Sequence, residues 1–332
     1  MKVIAFLGDS HTWGQGVGAE YSMKVCGGDL RMLSFENPSY VNLIRMAYAL
    51  KTDSLAAEYY GKKLFEHCDA SEDDMGVLDG SELRIRKRFA LCRIFCCASQ
   101  IDNEVKLSVD GKENVFTLKA EESVHNKDIK SFVLHVEDGF HTLGIRAVHR
   151  LKIYRIEFYS GEYAIINCGI GSCPVSKYLN VYYDDYIRAL HPFGVVFEGC
   201  TINNWLTFET KEEYSREISD TIKRMTDDNI RILGHTVFPI GSAENVMDVP
   251  WVNTEGITVA DNYSDYVKVM KDVLVEKQIP CVDCNALMKA MLAEIPEEKR
   301  AKFLYHDAWH PNTTGHFIYA KMLMEKMFAY FL

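Results

Sequence analysis

The sequence predicts an α/β protein: a parallel-sheet, three-layer α/β/α domain interrupted by an inserted β-sandwich. Three observations carry this expectation. From residue 163 onward, short apolar stretches alternate with longer amphipathic ones, as in a parallel sheet covered by helices on both faces. Between residues 67 and 162 that pattern gives way to six or seven short segments of strand period, separated by turn signals. The first 66 residues supply one strand and one helix, too little to stand alone. The expected domains are therefore 1–66 joined to 163–332, with 67–162 as the insert. A chain of 332 residues has room for two domains of about 150 residues each.

Taken in order, residues 2–7 are a short apolar strand that runs into a glycine-rich turn containing Gly8, Gly14, Gly16 and Gly18. A helix is predicted from near Pro38, with Tyr40, Leu43, Ile44, Ala47 and Leu50 spaced to share one face. In the insert, 68–80 is acidic and loop-like. Strand candidates follow at 83–89, 93–98, 105–109, 115–118, 132–136, 141–147 and 152–158. Alternation is clear in Val105-Lys106-Leu107-Ser108-Val109, and Asp110-Gly111 and Asp138-Gly139 are hairpin signals. In the last part, strands are predicted at 164–167, 195–198, 230–235 and 280–283. Helices are predicted at 211–227, 259–276, 285–293 and 313–331.

The chain is 48% hydrophobic and 25% charged, with a net charge of −10 and a pI near 5.6. That balance argues against a nucleic-acid or anionic-membrane surface, which needs clustered Lys and Arg. No apolar run approaches the ~18 residues of a spanning helix. The start reads as a first strand and not as a signal peptide, which predicts a cytoplasmic protein. The ten cysteines then read as reduced, small apolar residues. Cys281-x-x-Cys284 has no second pair at zinc spacing and reads as strand-end packing.

Three segments carry candidate chemistry. Gly8-Asp9-Ser10-His11-Thr12-Trp13-Gly14 places a serine at the carboxyl edge of the first strand, where α/β folds bind ligands. A serine hydroxyl needs a base to become a nucleophile. The plainer reading is a helix cap. Asp307-Ala308-Trp309-His310-Pro311-Asn312 offers an imidazole with a carboxylate three residues away. Pro311 restricts His310 to extended backbone. A capping role suits His310 poorly, since a helix N-terminus disfavours a cation. Phe197-Glu198-Gly199-Cys200-Thr201-Ile202-Asn203-Asn204-Trp205 follows an apolar strand and brings side-chain amides able to donate to an oxyanion, or forms an ordinary Asn-rich turn.

Together these segments resemble the SGNH (GDSL-like) hydrolases over residues 1–66 and 163–332. The resemblance implies Ser10 as nucleophile and Asp307 and His310 as the other two triad members, with Asp9 shaping the turn. It aligns Asn203 with the family's oxyanion-hole asparagine, although Asn204 stands where the family has Asp and the Gly-to-Asn spacing is longer. It implies a backbone donor in Asn167-Cys168-Gly169-Ile170-Gly171-Ser172, from Gly171 or Ser172, beside the Ser10 N–H. The insert, through 139–146 and 153–158, resembles jelly-roll modules of carbohydrate O-acetylesterases, placed where it could wall the Ser10 cleft. The implied activity is hydrolysis of a small acyl ester, acetyl above all, on a carbohydrate, through an acyl-enzyme and without metal or organic cofactor. The alternatives are an acyltransferase using the same triad and a non-catalytic carbohydrate-binding protein. The other histidines, His11 among them, read as structural or surface residues, with His306 at the mouth of the site.

Overall fold

The computed structural model describes residues 1–17, 34–60, 62–72, 75–98, 101–119, 130–240, 262–307 and 309–332. Gly18, His125 and the expected helix start at 259 lie outside the described residues. In chain order the elements are β1 (Lys2–Leu7), α1 (Ser10–Trp13), α2 (Tyr40–Lys51), β2 (Ser54–Tyr60), β3 (Ala70–Glu72), β4 (Met75–Leu78) and β5 (Glu82–Ala98). Then come β6 (Asn103–Val109), β7 (Lys112–Leu118), β8 (Lys130–Ala147), β9 (Leu151–Gly161), β10 (Tyr163–Asn167), β11 (Gly194–Phe197), α3 (Thr201–Leu206) and α4 (Lys211–Asp227). The chain closes with β12 (Arg231–His235), α5 (Tyr263–Glu276), β13 (Cys281–Val282), α6 (Cys284–Ala293), α7 (Glu297–Leu304) and α8 (Thr313–Phe331).

Five strands form one sheet in the order β10-β1-β11-β12-β13. The pairs β1–β11, β11–β12 and β12–β13 are parallel. Strands β10 and β11 are buried at every position, as is β1 after Lys2, so helices must cover both faces. Two glycines show this. Gly194 pairs beside Arg231, three residues before Gly234, so the two glycines face opposite ways. A side chain at Gly194 would strike Phe331 of α8, and one at Gly234 would strike Leu274 of α5.

Helix α4 starts and ends as its sequence pattern predicts. Thr210 accepts from the Glu213 N–H at 3.2 Å and the Glu213 carboxylate accepts from the Thr210 N–H at 2.9 Å, a capping box. Tyr214, Ile218, Ile222 and Met225 form its buried stripe. On α2 the buried face is Tyr40, Val41, Ile44 and Tyr48. Leu50, expected on that face, is 89% exposed, because the stripe follows i, i+4, i+8 from Tyr40.

The other eight strands form a single antiparallel sheet, in the order β3-β4-β9-β5-β8-β6-β7, with β2 also pairing β9. Asp110-Gly111 is the expected two-residue hairpin: both residues have positive φ, 50° and 82°, between the paired Val109 and Lys112. Asp138-Gly139 is not a turn. The segments expected as four strands, 83–89, 93–98, 132–136 and 141–147, are the two long strands β5 and β8, and Gly139 pairs with Phe89 inside them. Asp138 is held there by Arg88, at 2.8 and 3.2 Å.

A bulge between Phe89 and Leu91 explains why β5 looks broken in sequence. The residues it gives to this sheet's core fall on odd positions before the bulge (Leu83, Ile85, Phe89) and on even positions after it (Cys92, Ile94, Cys96). One extra residue switches the side-chain phase, so both halves keep their apolar side in one core. Strand β9 does the same with Leu151 and Ile153, then Ile156 and Phe158, where its register with β5 shifts.

Among the described residues the chain divides into two compact units. One holds Met1–Lys2 and Tyr48–Ala164; the other holds 3–17, 34–47 and Ile165–Leu332. The expected boundary at 66/67 therefore falls too late. Strand β2 pairs with β9 along its whole length, from Ser54 opposite Gly161 to Tyr60 opposite Arg155. No described helix is long and apolar enough to cross a membrane. All described cysteines are free thiols, Cys281 and Cys284 included.

Candidate active site

Strand order alone marks a place for a site. After β1 the chain adds β10 on one side and β11 on the other, so a crevice opens beyond the carboxyl end of β1. The loops that follow β1, β10 and β11 carry three of the four groups of candidate residues; the fourth, the Asp307–His310 turn, arrives from just before α8.

Ser10 is the first residue of α1, 5% exposed. Asp9 caps this single turn by accepting the His11 N–H at 3.0 Å, and Gly14 ends it with φ 104°. His310 Nε2 lies 2.9 Å from Ser10 Oγ. On the other edge of the ring, Nδ1 lies 2.8 Å from Asp307 Oδ2 and 3.0 Å from Oδ1. Asp307 Oδ1 also accepts the backbone N–H groups of Trp309 (2.8 Å) and His310 (2.7 Å). The carboxylate thus shapes its own turn and orients the imidazole. The base of the loop is pinned by a bridge between Tyr305 and Pro311, and Asn312 caps α8 by accepting from Gly315 at 3.0 Å. His306, expected at the mouth, is exposed, and its N–H donates to the His310 carbonyl at 2.9 Å.

The electrostatics suit a base. Burial pushes His310 below the ordinary histidine range, against the hydrogen bond its Nδ1–H donates to Asp307, so the ring is neutral near pH 7. For Asp307 burial acts upward, but the hydrogen bond and charge of His310 and the two backbone donors outweigh it. Its carboxyl sits well below the usual carboxylate range.

Asn203 lies on α3, and its amide Nδ2 donates to Asp9 Oδ2 at 2.8 Å, so it is tethered to the cap of Ser10. Asn204 points elsewhere. It is fully buried, accepts the Val175 N–H at 3.0 Å and donates to Glu209 and to Glu217, the latter at 2.9 Å. The loop after β10 is stitched alongside β1 and α1: the Cys168 N–H donates to Phe6 O and the Ile170 N–H to Gly8 O, both at 3.0 Å. Asn167 donates to Thr12 O at 2.9 Å and accepts from the Gly169 N–H at 2.9 Å. A side chain at Gly169 would collide with the backbone of Thr12 and Trp13, so only glycine allows this approach. Gly171 is buried; Ser172 is exposed, with φ 53°.

The sequence reading missed a buried polar cluster under the turn. Asp9, His11 and Glu198 are all fully buried. Glu198 also bonds to Thr12 Oγ1, which lies 2.7 Å from the Tyr40 hydroxyl. Burial and the neighbouring Asp9 hold the Glu198 carboxyl well above its ordinary range. The signal was present, since His11 adjoins Ser10 and Glu198 ends the third apolar strand. A buried histidine and a buried glutamate acquire meaning only from what surrounds them.

No family model matches the sequence, and the search of curated proteins returned no match. Among solved structures, that of a peptidoglycan O-acetylesterase is similar with a TM-score of 0.55 at 13% identity, over 99% of this chain and 91% of its own. An acetyl xylan esterase (TM-score 0.40, 16% identity, 50% of this chain, 81% of its own) is also similar. So is a family two carbohydrate esterase from Clostridium thermocellum (0.34, 11%, 82% and 98%). Scores of 0.40 and 0.34 are too low to define a common fold. The likeness to the O-acetylesterase is one of fold.

Proposed function

We propose that the protein is a serine ester hydrolase that removes small acyl groups, acetyl above all, from a carbohydrate. The observation that carries this reading is the continuous chain Ser10 Oγ–His310–Asp307, at 2.9 and 2.8 Å, with a neutral imidazole at its centre. His310 Nε2 takes the Ser10 proton as Oγ attacks the ester carbonyl. Asp307 keeps the second ring proton on Nδ1 and stabilises the imidazolium. The tetrahedral oxyanion is held by the Ser10 N–H, the N–H of Gly171 or Ser172, and the Asn203 amide, which carries a second N–H beyond the one given to Asp9. The imidazolium returns its proton to the leaving alcohol. Water, deprotonated by His310, then cleaves the acyl-serine and restores the hydroxyl.

The choice of acetyl and sugar leans on a solved structure of similar fold, that of a peptidoglycan O-acetylesterase. In this reading the antiparallel sheet is a β-sandwich closed on itself. Its long strands bend at bulges, and residues from both halves of β5 and β8 share one core. The test is Ser10→Ala assayed on p-nitrophenyl acetate and on acetylated oligosaccharides. Loss of at least about 10³-fold in kcat with an unchanged circular dichroism spectrum is expected. A folded Ser10→Ala protein that keeps wild-type turnover would mean that Ser10 is not the nucleophile.

A further inference from the structure

We infer that His11, as a buried imidazolium paired with Asp9, is a positioning residue that ties the His310 loop to the Ser10 turn and holds Asn203 beside it. The inference rests on the triad reading above and adds a device beneath it. The geometry is that of one ion pair touching three chain segments. His11 Nδ1 lies 2.9 Å from Asp9 Oδ1, and Nε2 lies 2.8 Å from the carbonyl oxygen of Trp309, the residue before His310. Both partners are acceptors. A neutral imidazole has one N–H and could satisfy only one of them; the imidazolium satisfies both.

Asp9 is the matching anion. Its Oδ1 accepts the His11 N–H and Nδ1–H, and its Oδ2 accepts the Asn203 amide. Glu198 is the second carboxyl of the cluster, with Oε1 3.7 Å from His11 Nδ1. A carboxylate there would give His11 two anions and leave the cluster with a net buried negative charge. Burial and Asp9 hold the Glu198 carboxyl well above its ordinary range, which favours its protonated form and leaves a neutral pair. Burial opposes a charge on His11, and Asp9 together with the Trp309 carbonyl outweighs it, so the imidazole sits above the ordinary histidine range.

Two consequences reach the chemistry. The Trp309 carbonyl is fixed one residue from the base, so the Ser10–His310 distance is set from beneath as well as by Asp307. The His11 ring lies 5.5 Å from the His310 ring, and its charge resists protonation of His310. The charged or titratable groups around His11 are Asp9 and Glu198 in contact, Asp307 and His310 across the turn, and the neutral His235 and His316 behind it.

The experiment has two arms. In the wild-type protein, nitrogen-15 NMR of the histidine rings should show His11 protonated on both nitrogens at pH 7; a neutral His11 at that pH overturns the inference without any variant. In His11→Gln, kcat on p-nitrophenyl acetate should fall by about 10²-fold with KM changed less than about threefold. The acid limb of kcat/KM should move up by about half a pH unit or more, since His310 loses a neighbouring cation and keeps Asp9. A His11→Gln enzyme with wild-type kcat and an unmoved acid limb overturns the inference while leaving the triad intact. Only an active Ser10→Ala protein would overturn the triad.

Discussion

At the scale of single residues, two adjacent asparagines show how an identical side chain takes different work from its surroundings. Asn203 is held by the carboxylate that caps Ser10; Asn204 is buried between Val175, Glu209 and Glu217. Asn203→Ala should lower kcat by about 10²–10³-fold with little change in KM, as expected for a donor used in the transition state. Asn204→Ala should instead lower the melting temperature, because it leaves the Val175 N–H and two carboxyls without their partner. Steady-state kinetics and thermal unfolding on both variants separate these outcomes; the reverse pattern would shift the assignment by one residue. Ser10, Asp307 and His310 were legible in the sequence because each sits in a short contiguous motif whose spacing carries the chemistry. His11 was not legible, although it is next to Ser10. Its state depends on Asp9, Glu198 and the Trp309 carbonyl, and the last lies 298 positions away.

At the scale of elements, legibility followed periodicity. Helices α4 and α8 matched their sequence patterns end to end, because caps and buried stripes are written locally. The antiparallel strands were harder. A bulge that switches odd to even breaks the alternation that marks a strand, so β5 and β8 each read as two. Asp138-Gly139 carries the residues of a hairpin turn, but Arg88 and the Gly161 N–H take up the Asp138 carboxylate within the sheet. Strand β2 was missed because Ser54–Tyr60 shows little apolar alternation; its burial is mostly partial. The loop after β10 gives a prediction at this scale. Gly169→Ala should push that loop off α1, displacing Gly171 and Ser172 with it. Activity should fall by about 10²-fold, while Ser10 still reacts with a small sulfonyl fluoride at no less than about a tenth of the wild-type rate, since the nucleophile and base do not depend on Gly169. Equal loss of both would show that the substitution disturbs α1 itself.

At the scale of the whole molecule, buried histidines set how stability responds to acid. His235 and His316 are fully buried and pushed by burial down to about 3, well under the ordinary 6.5. Below pH 6.5 the unfolded chain binds protons at these positions and the folded chain does not. The stability they confer is complete above 6.5 and drains as pH falls toward 3, by up to about 1.4 kcal/mol per pH unit for each. His11 has the opposite sign: its raised value adds stability that is full below 6.5 and is lost as pH climbs through that value. Urea unfolding at pH 7.5, 6 and 5 should show the acid-side decline, and His235→Phe should make it shallower; an unchanged slope would mean that His235 is not buried neutral. The bond between Ser10 and His310 spans 300 positions, and every residue of the β-rich unit from Tyr48 to Ala164 lies inside that span. On the ribosome Ser10 is therefore made 300 positions before His310, and in the proposed reading a growing chain holds no armed serine until that span has been synthesised. Closing a span of 300 residues also costs about 2 kcal/mol more chain entropy than closing one of 30. That deficit must be recovered from the packed sheet before the two residues can meet, so in the proposed reading catalytic competence waits on the folding of the whole span between them.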